Sequence, residues 1–328
     1  MCNKIDLLFW VFPIKHKTIL DKFVFIFFIF VACQKLFLKN ITLVINQVGK
    51  ELNMYQISRI TSRQGRELSK GVRGVIFDLA GTLIDTGCQA PIHAMISAFA
   101  KNKLVVTDEI VRADMGLPKK AHIQAILAKP DILGQWKFIY NNPPREEDVD
   151  RIYKSTNQNL KEIVEYYSKP TPYAVDLLHY LQTNGIWVGI TTGYSREIIQ
   201  VMSDLMHKQG IIYNTMVCAD EVANPRPKAG MIFKILKDWS LPNYYPNQII
   251  KIGDTIADIQ EAHDAHVASC QVIDTCSGLG HITKSGSTNT NCKLLSSSRA
   301  KIIREFDAAG AEFYCNKLND VLEVFQRK

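Results

Sequence analysis

Short apolar runs alternate with helical patterns along most of this 328-residue chain, and this alternation limits the possible folds more than any other feature. The apolar runs lie at 74–78, 186–191, 215–218, 249–254 and 269–273. Such runs, separated by helical stretches, are typical of a parallel sheet whose two faces are covered by crossover helices. The sequence therefore predicts the α/β class, with a Rossmann-like, doubly wound parallel sheet.

More than 100 residues separate the first run from the second, which is far more than a single crossover needs. Within this gap, the apolar residues of 148–168 recur near a 3.6-residue period, as in an amphipathic helix. We therefore predict a core domain built from 71–87 and 169–328, with an inserted helical cap domain at 88–168. Near the end of the chain, the Ser-, Thr- and Asn-rich stretch 283–299 predicts a flexible loop, and the residues after it predict helix, short strand and helix.

Residues 1–70 differ from the rest of the chain in hydropathy and charge. They hold 11 Lys or Arg and 4 Asp or Glu, which accounts for the whole net charge of +7. The remaining chain is neutral, and this argues against a nucleic-acid partner. Residues 23–38 are mostly apolar, but they are fewer than the roughly 20 residues that a spanning helix needs. We favour an N-terminal extension that is not part of the fold; a membrane anchor and a targeting segment are the alternatives.

The eight cysteines form no CxxC pair, and none stands at zinc-finger spacing from a histidine. This pattern predicts reduced thiols in a reducing compartment rather than a disulfide framework or a structural zinc site. We therefore expect a cytoplasmic protein.

Polar residues follow three of the apolar runs at the point where each predicted strand ends. They are Asp78, Thr192 with Gly193, and Asp254. The carboxyl ends of parallel strands are where ligands bind in such sheets. A carboxylate at Asp78 can act as a nucleophile or a metal ligand. The hydroxyl of Thr192 and the backbone N–H groups that follow it are suited to a phosphate.

Two further residues complete a site for phosphoryl chemistry. Arg226 supplies a cation, and Asp258 follows Asp254 at a spacing that lets both carboxylates hold Mg²⁺ through oxygen ligands. Each of these residues taken alone has an ordinary structural explanation, such as a helix cap or a turn. The ordered set, however, resembles the haloacid dehalogenase superfamily of aspartyl-phosphate enzymes.

Position 80 departs from what this resemblance implies for ester hydrolysis. Phosphatases of the superfamily usually carry Asp two residues after the nucleophile, where it protonates the departing oxygen, but this chain has Ala80. One interpretation is an inactive relative. The other is a carbon leaving group, which needs no proton on oxygen. Cleavage of a C–P bond leaves a carbanion, and the protonated imine of a lysine can accept its electrons.

Lys119 is the candidate for that lysine. The surrounding sequence predicts a helix that begins at Pro118, with His122 three residues after Lys119 on the same face. Burial, the positive end of the helix and the adjacent Lys120 would each lower the pKa of Lys119. His122 is placed to move the protons of imine formation. Alone, the pair fits a solvated helix face, but beside Ala80 we prefer the catalytic interpretation.

Longer motifs make the resemblance more specific. Across most of 74–328 the chain carries, in order, VIFDLAGTLIDTGCQAP, MGLPKKAHI, GITTGYSREII, DEVANPRPKAGMIF and KIGDTIADIQEAHDAH. These stretches are similar to those of the phosphonoacetaldehyde hydrolase family. The resemblance implies the catalytic residues Asp78, Lys119 and His122. It implies a Mg²⁺ site formed by Asp78, the Ala80 carbonyl, Asp254 and Asp258. It implies substrate contacts from Thr192, Gly193, Tyr194, Arg226, Met115 and Cys88.

The chain also departs from the family pattern at several positions. Leu79, Leu83, Pro118, Ala121 and Pro225 replace the usual residues. None of these changes removes a group with a named chemical role, so we expect them to affect the rate more than the reaction class.

The resemblance implies Mg²⁺-dependent hydrolysis of the C–P bond of phosphonoacetaldehyde to acetaldehyde and phosphate, through a lysine imine and an aspartyl phosphate. It also implies a homodimer with contacts through the cap. The alternatives are a phosphomonoesterase of the same superfamily and a non-catalytic relative.

Overall fold

The computed structural model describes residue 60 and residues 62–240, 248–279 and 289–327, which fall within one compact unit. The apolar segment 23–38 lies outside the described residues, so the membrane contact considered for it stays untested. Within the described ranges, no helix combines the length and the apolar character needed to cross a membrane.

Six parallel strands form the sheet at the centre of the described structure. They are β1 (Gly74–Asp78), β2 (Trp187–Thr192), β3 (Thr215–Cys218), β4 (Ile249–Gly253), β5 (Ala268–Val272) and β6 (Phe313–Cys315). Their order is β3-β2-β1-β4-β5-β6. The chain therefore winds outward from β1 on one side and then from β4 on the other. This confirms the predicted doubly wound parallel sheet.

The strands are buried because helices cover both faces of the sheet. Every residue of β1, β4 and β5 is buried, as the unbroken apolar runs predict. In register, Asp78 at the end of β1 lies beside Thr191 near the end of β2. The sheet thus brings the polar residues that follow β1, β2 and β4 to the same edge.

Twelve helices are described around the sheet. Before β1 lies α1 (Arg63–Ser69). Between β1 and β2 lie α2 (Gln89–Lys101), α3 (Asp108–Arg112), α4 (Lys119–Ala128), α5 (Pro130–Tyr140), α6 (Glu146–Tyr167) and α7 (Ala174–Thr183). The remaining helices are α8 (Arg196–Lys208), α9 (Gly230–Asp238), α10 (Ile256–Asp264), α11 (Asn289–Ala308) and α12 (Leu318–Gln326).

The helices inserted after β1 have a hydrophobic cluster of their own. Its largest buried side chains are Trp136 on α5 and Phe99 on α2. The amphipathic pattern predicted for 148–168 is found on α6, which buries Val149, Ile152, Leu160 and Val164. We call α2–α6 the cap; its predicted boundaries at 88 and 168 stay a prediction.

Part of the predicted N-terminal extension is described, and it packs on the core. Ile60 is buried in the main hydrophobic cluster, and α1 contacts α12 near the end of the chain. The boundary at residue 70 stays a prediction.

The prediction of a loop at 283–299 is wrong from Asn289 onward, where α11 begins. Residues 283–288 lie outside the described residues. Ser and Asn disfavour helix only moderately, and extending a helix is much easier than starting one. The buried Ile303 and Phe306 fix the second half of α11, so the helix extends back through the polar stretch. The helix, strand and helix predicted after this stretch are found as α11, β6 and α12.

Five cysteines in the described part of the chain are free, and the reduced state expected for them in the cell stays a prediction. The free, buried cysteines are Cys88, Cys218, Cys270, Cys276 and Cys315.

Candidate active site

Four carboxylates and two cations meet beyond the carboxyl ends of β1 and β4. The carboxylates are Asp78, Asp254, Asp258 and Glu261, and the cations are Arg226 and Lys251. All six side chains are buried. Buried charges are tolerated only when they are paired or bind a metal, so this cluster is a candidate functional site.

Asp78 is the last residue of β1, and its side chain faces the guanidinium of Arg226. The Arg226 Nη2 atom lies 2.7 Å from Asp78 Oδ1. Burial raises the pKa of Asp78, while the charge of Arg226 opposes this effect. The substitution at Pro225 therefore leaves Arg226 in contact with the predicted nucleophile.

Asp254 follows β4 and is held by two loops. Thr82 Oγ1 donates to its Oδ1 at 3.2 Å, and the backbone N–H of Ser277 donates to its Oδ2 at 2.8 Å. Burial, with the nearby Asp78, raises its pKa well above the usual value. Gly81 is needed beside it, because Gly81 has a φ of +94° and a Cβ there would lie 2.5 Å from Asp254 Oδ2.

Asp258 lies in the first turn of α10 and is tied to more groups than either of the other aspartates. Thr255 Oγ1 donates to its Oδ2 at 2.6 Å. Its Oδ1 accepts from Arg226 Nη1 at 2.6 Å and lies 3.0 Å from Lys251 Nζ. Burial would raise the pKa of Asp258, but Lys251 and Arg226 lower it to about 2. Asp258 therefore stays ionised.

The three aspartates fit a hard metal cation. One oxygen from each of Asp78, Asp254 and Asp258 lies within 4.8 Å of the others, and carboxylate oxygens are typical ligands of such cations. The carbonyl oxygen of Ala80 accepts from Cys88 Sγ at 2.7 Å, and it keeps a second lone pair for a metal. Because four carboxylates face only two cations here, a divalent cation would balance the charge of the cluster.

A small cavity lies between this cluster and the cap. Its volume is about 30 Å³, which is more than a single water molecule needs. Nine of the twelve predicted site residues line it: Asp78, Ala80, Cys88, Met115, Lys119, Thr192, Gly193, Tyr194 and Arg226. Asp254, Asp258 and His122 lie outside its lining, although Asp254 accepts from the thiol of Cys88 at 3.9 Å.

The turn after β2 has the form expected of a phosphate seat. Thr192 Oγ1 accepts from the backbone N–H of Tyr194 at 3.1 Å, which leaves the hydroxyl proton of Thr192 available to a ligand. The space beside Gly193 is open, because even an added Cβ would lie no closer than 3.9 Å to Arg226 Nη2. The hydroxyl oxygen of Tyr194 is buried and has no hydrogen-bond partner within the described part of the chain.

Lys119 is the first residue of α4, so the helix begins one residue later than predicted, and Pro118 is its N-cap. Its Nζ lies 5.8 Å from the centre of the Tyr194 ring. Burial lowers the pKa of Lys119 to about 8. A lysine with this pKa is a far better amine nucleophile near neutral pH than an ordinary one.

His122 is buried one turn after Lys119. Its Nε2 lies 2.8 Å from the carbonyl oxygen of Val111, so Nε2 carries the proton and Nδ1 carries the lone pair. Nδ1 has no partner in the described residues. Burial, with the charge of Lys119, lowers the pKa of His122 to about 4. The imidazole is therefore neutral and has one free acceptor.

Comparison with known proteins assigns this arrangement to a family. A family model described as haloacid dehalogenase-like hydrolase matches residues 75–272. A phosphonoacetaldehyde hydrolase of Parabacteroides distasonis is 30% identical over 77% of this chain and 95% of its own length. Another from Bacillus cereus is 33% identical over 64% of this chain and 78% of its own length. The chain belongs to the phosphonoacetaldehyde hydrolase family of haloacid dehalogenase-like hydrolases.

Longer and structural relatives agree with this assignment. A bifunctional phosphonoacetaldehyde hydrolase/aminoethylphosphonate transaminase of Clostridioides difficile is 30% identical over 77% of this chain, and the match spans 39% of that longer protein. The crystal structure of a phosphonoacetaldehyde hydrolase-like protein from Oleispira antarctica has a TM-score of 0.71 and 26% identity. It covers 78% of this chain and 94% of its own length. This member of the family is therefore a hydrolase.

Three residues of this hydrolase's site were missed by the sequence analysis. Lys251 and Glu261 belong to the charge cluster, and Arg112 bonds the cap to the core through Gly87 and Ser277. Arg112 Nη1 donates to the Gly87 carbonyl at 2.7 Å and also to the Ser277 carbonyl. A lysine inside the apolar run 249–254 was an available signal for Lys251, because a buried lysine requires a carboxylate partner. Nothing local in the sequence marks this role of Arg112, since Gly87 and Ser277 lie far from it along the chain and its ion pair with Asp108 is an ordinary contact within α3.

Proposed function

We propose that this hydrolase cleaves the C–P bond of phosphonoacetaldehyde and releases acetaldehyde and phosphate. One observation carries the proposal: the amine of Lys119 lines the same cavity as Asp78 and Arg226, and no carboxylic acid stands at Ala80. An amine suits an aldehyde, and the Asp78–Arg226 pair suits a phosphoryl group. The names of the curated relatives support the same substrate.

We propose Mg²⁺ as the metal. Asp78, Asp254 and the Ala80 carbonyl would hold it directly, and Asp258 would support it through its place in the cluster. When bound, Mg²⁺ would offset the negative charge of the phosphoryl group and of the attacking carboxylate.

The first step takes place at Lys119. Its neutral Nζ adds to the aldehyde carbon, and the resulting carbinolamine loses water to give an imine, which is protonated on nitrogen. We assign the free Nδ1 of His122 to accept and return the protons of this step. His122 is buried and Lys119 is half-buried, so few solvent molecules compete with them.

The second step takes place at Asp78. A carboxylate oxygen forms a bond to phosphorus, and the C–P bond breaks with its electron pair moving into the carbon chain to give an enamine on Lys119. Arg226 and Thr192 would hold the phosphoryl oxygens during the transfer. Protonation of the enamine carbon and hydrolysis of the imine release acetaldehyde. Water then cleaves the aspartyl phosphate to give phosphate and restores the Asp78 carboxylate.

The homodimer through the cap and the cytoplasmic location stay predictions.

Reductive trapping tests the proposal. Borohydride with phosphonoacetaldehyde should attach the reduced carbon chain to Lys119, and peptide mass spectrometry would locate it. The matched control is Lys120→Arg, because Lys120 is the exposed neighbour that pairs with Asp150; its trapping should equal that of the wild type. Trapping that continues undiminished in Lys119→Arg would refute the imine step. Faster hydrolysis of phosphate esters than of the phosphonate would favour the phosphomonoesterase alternative, and metal binding without any turnover would favour the non-catalytic one.

A further inference from the structure

Lys251 is a lysine in the middle of a buried strand, and the reaction proposed above gives it no role. It is the third residue of β4 and has no exposed surface. Its Nζ donates to Thr191 Oγ1 at 2.6 Å and lies 3.0 Å from Asp258 Oδ1 and 3.2 Å from Glu261 Oε2. An ammonium is costly to bury, so an apolar residue would be the ordinary choice in this strand unless the charge is needed.

Glu261 explains what the charge is needed for. It is fully buried on α10, one turn after Asp258. Its Oε2 lies 3.8 Å from Arg226 Nε and closer, at 3.2 Å, to Lys251 Nζ. Neither Arg226 Nε nor Glu261 Oε1 has a hydrogen-bond partner within the described residues. Glu261 and Arg226 are thus near enough to attract each other strongly but do not form a hydrogen bond.

The two terminal nitrogens of the Arg226 guanidinium already have carboxylate partners. Its Nη2 faces Asp78 at 2.7 Å, and its Nη1 faces Asp258 at 2.6 Å. Attraction between charges is strong in a buried, low-dielectric site. Without a second cation, the carboxylate of Glu261 would attract Nε of Arg226 and pull the guanidinium away from Asp78. Lys251 lies against both Glu261 and Asp258 and takes up part of their negative charge.

We propose that Lys251 is a positioning residue, which pairs with Glu261 so that Arg226 stays directed at Asp78 and at the phosphoryl group bound beside it. Lys251 acts through Arg226 and touches no reacting atom. The identity of that phosphoryl group rests on the proposed function, but the positioning itself requires only that Arg226 bind a phosphoryl oxygen.

A double-mutant cycle separates this role from simple packing. The variants are Lys251→Met, Glu261→Gln and the two combined, made in the full-length protein. The probe is inorganic phosphate, followed by calorimetry with and without Mg²⁺, together with the melting temperature. Lys251→Met should weaken phosphate binding at least tenfold. The combined variant, which removes one buried charge of each sign, should return the phosphate Kd to within threefold of the wild type.

Ile250→Val is the matched control, because Ile250 precedes Lys251 in β4 and belongs to the main hydrophobic cluster. It should lower the melting temperature and leave the phosphate Kd unchanged. If Lys251→Met does not fold, the comparison of the wild type with the combined variant still decides, since a tenfold loss in the combined variant contradicts the proposal. Unchanged phosphate binding in Lys251→Met would also overturn it, as would a wild type that binds no phosphate.

The two proposals fail in different ways. Phosphate binding involves no C–P cleavage, so a wild type that releases no acetaldehyde refutes the proposed function alone. If phosphate binding still follows the cycle described above, the positioning role of Lys251 stands.

Discussion

The core side and the cap side of this active site differ in how their charged groups are paired. We define the core side as Asp78, Asp254, Asp258, Arg226, Glu261 and Lys251, and the cap side as Lys119 and His122. On the core side, ions are paired at short distances, and two cations lower the pKa of Asp258 to about 2 despite its burial. On the cap side, burial lowers the pKa of Lys119 to about 8 and that of His122 to about 4.

The difference corresponds to two kinds of chemistry. Fixed charges suit a phosphoryl group and a metal, because they are already oriented before the ligand arrives. Neutral nitrogen atoms suit addition to a carbonyl carbon, because a protonated amine has no lone pair to donate. On the core side the two cations hold Asp258 ionised, whereas burial on the cap side shifts Lys119 and His122 toward their neutral forms.

The largest effect is expected from the core side. Asp78→Asn removes the nucleophilic carboxylate but keeps the size of the side chain, so turnover should fall by at least about 10⁴-fold. Phosphate release from phosphonoacetaldehyde measures this. Asp176→Asn, at an exposed position on α7, should leave the rate unchanged. Turnover within tenfold of the wild type in Asp78→Asn would mean that another group attacks phosphorus.

The pH profile tests the cap side. Lys119 must be neutral to form the imine, and its pKa is about 8. Below that pH the neutral fraction grows about tenfold per pH unit, so kcat/KM should rise with pH and level off above about 8. Steady-state rates between pH 6 and 9 measure this limb. A profile that is flat between pH 6 and 8 would contradict a lysine nucleophile with the lowered pKa.

A smaller effect, on KM, is expected for Arg112, which joins the cap to the core. Arg112 on the cap donates to the carbonyls of Gly87 and Ser277, and the N–H of Ser277 holds Asp254. Hydrogen bonds from a charged donor contribute about 1.5–3 kcal/mol each, so Arg112→Gln should raise KM by about tenfold. The control is Arg304→Gln, because Arg304 is exposed on α11. A KM unchanged by Arg112→Gln would show that this contact between cap and core does not affect substrate binding.

The smallest effect is on stability. The test compares the N-cap residue of one helix of the core, α10, with that of one helix of the cap, α3. Thr255 and Thr107 cap α10 and α3 through bonds of equal length, 3.4 Å, from the N–H groups of Asp258 and Ile110. Thr255 also donates to the buried carboxylate of Asp258 at 2.6 Å, whereas the bond of Thr107 is exposed. Loss of an N-cap costs about 0.5–2 kcal/mol. Thr255→Ala should lie near the upper end of this range and Thr107→Ala near the lower end, as measured by urea unfolding. Equal losses of unfolding free energy in the two variants would show that the bond from Thr255 to Asp258 adds no stability.

Several site residues and one helix start could be predicted because short stretches of sequence determine them. Asp78, Thr192 and Asp254 stand directly after apolar runs, and the ends of parallel strands meet at one edge of the sheet. The start of α4 was predicted to within one residue, since Pro118 marks it. These features depend on short stretches of sequence.

The remainder depends on contacts between distant residues. The partners of Lys251 include Thr191 from another strand, and the pairing with Glu261 needs β4 and α10 to be packed together. Arg112 binds loops on either side of the cap insertion. The polar start of α11 was misassigned as a loop because its helix depends on the packing of Phe306 further along the chain.

The most direct test of the account is acetaldehyde release from phosphonoacetaldehyde, with and without Mg²⁺, in the wild type and in Lys119→Arg. Arginine keeps the positive charge but cannot form the imine. We predict that the wild type turns over only with Mg²⁺ and that Lys119→Arg releases no acetaldehyde above the uncatalysed rate. Acetaldehyde release by Lys119→Arg at a rate near that of the wild type would contradict the central claim that the neutral amine of the cap carries the reaction.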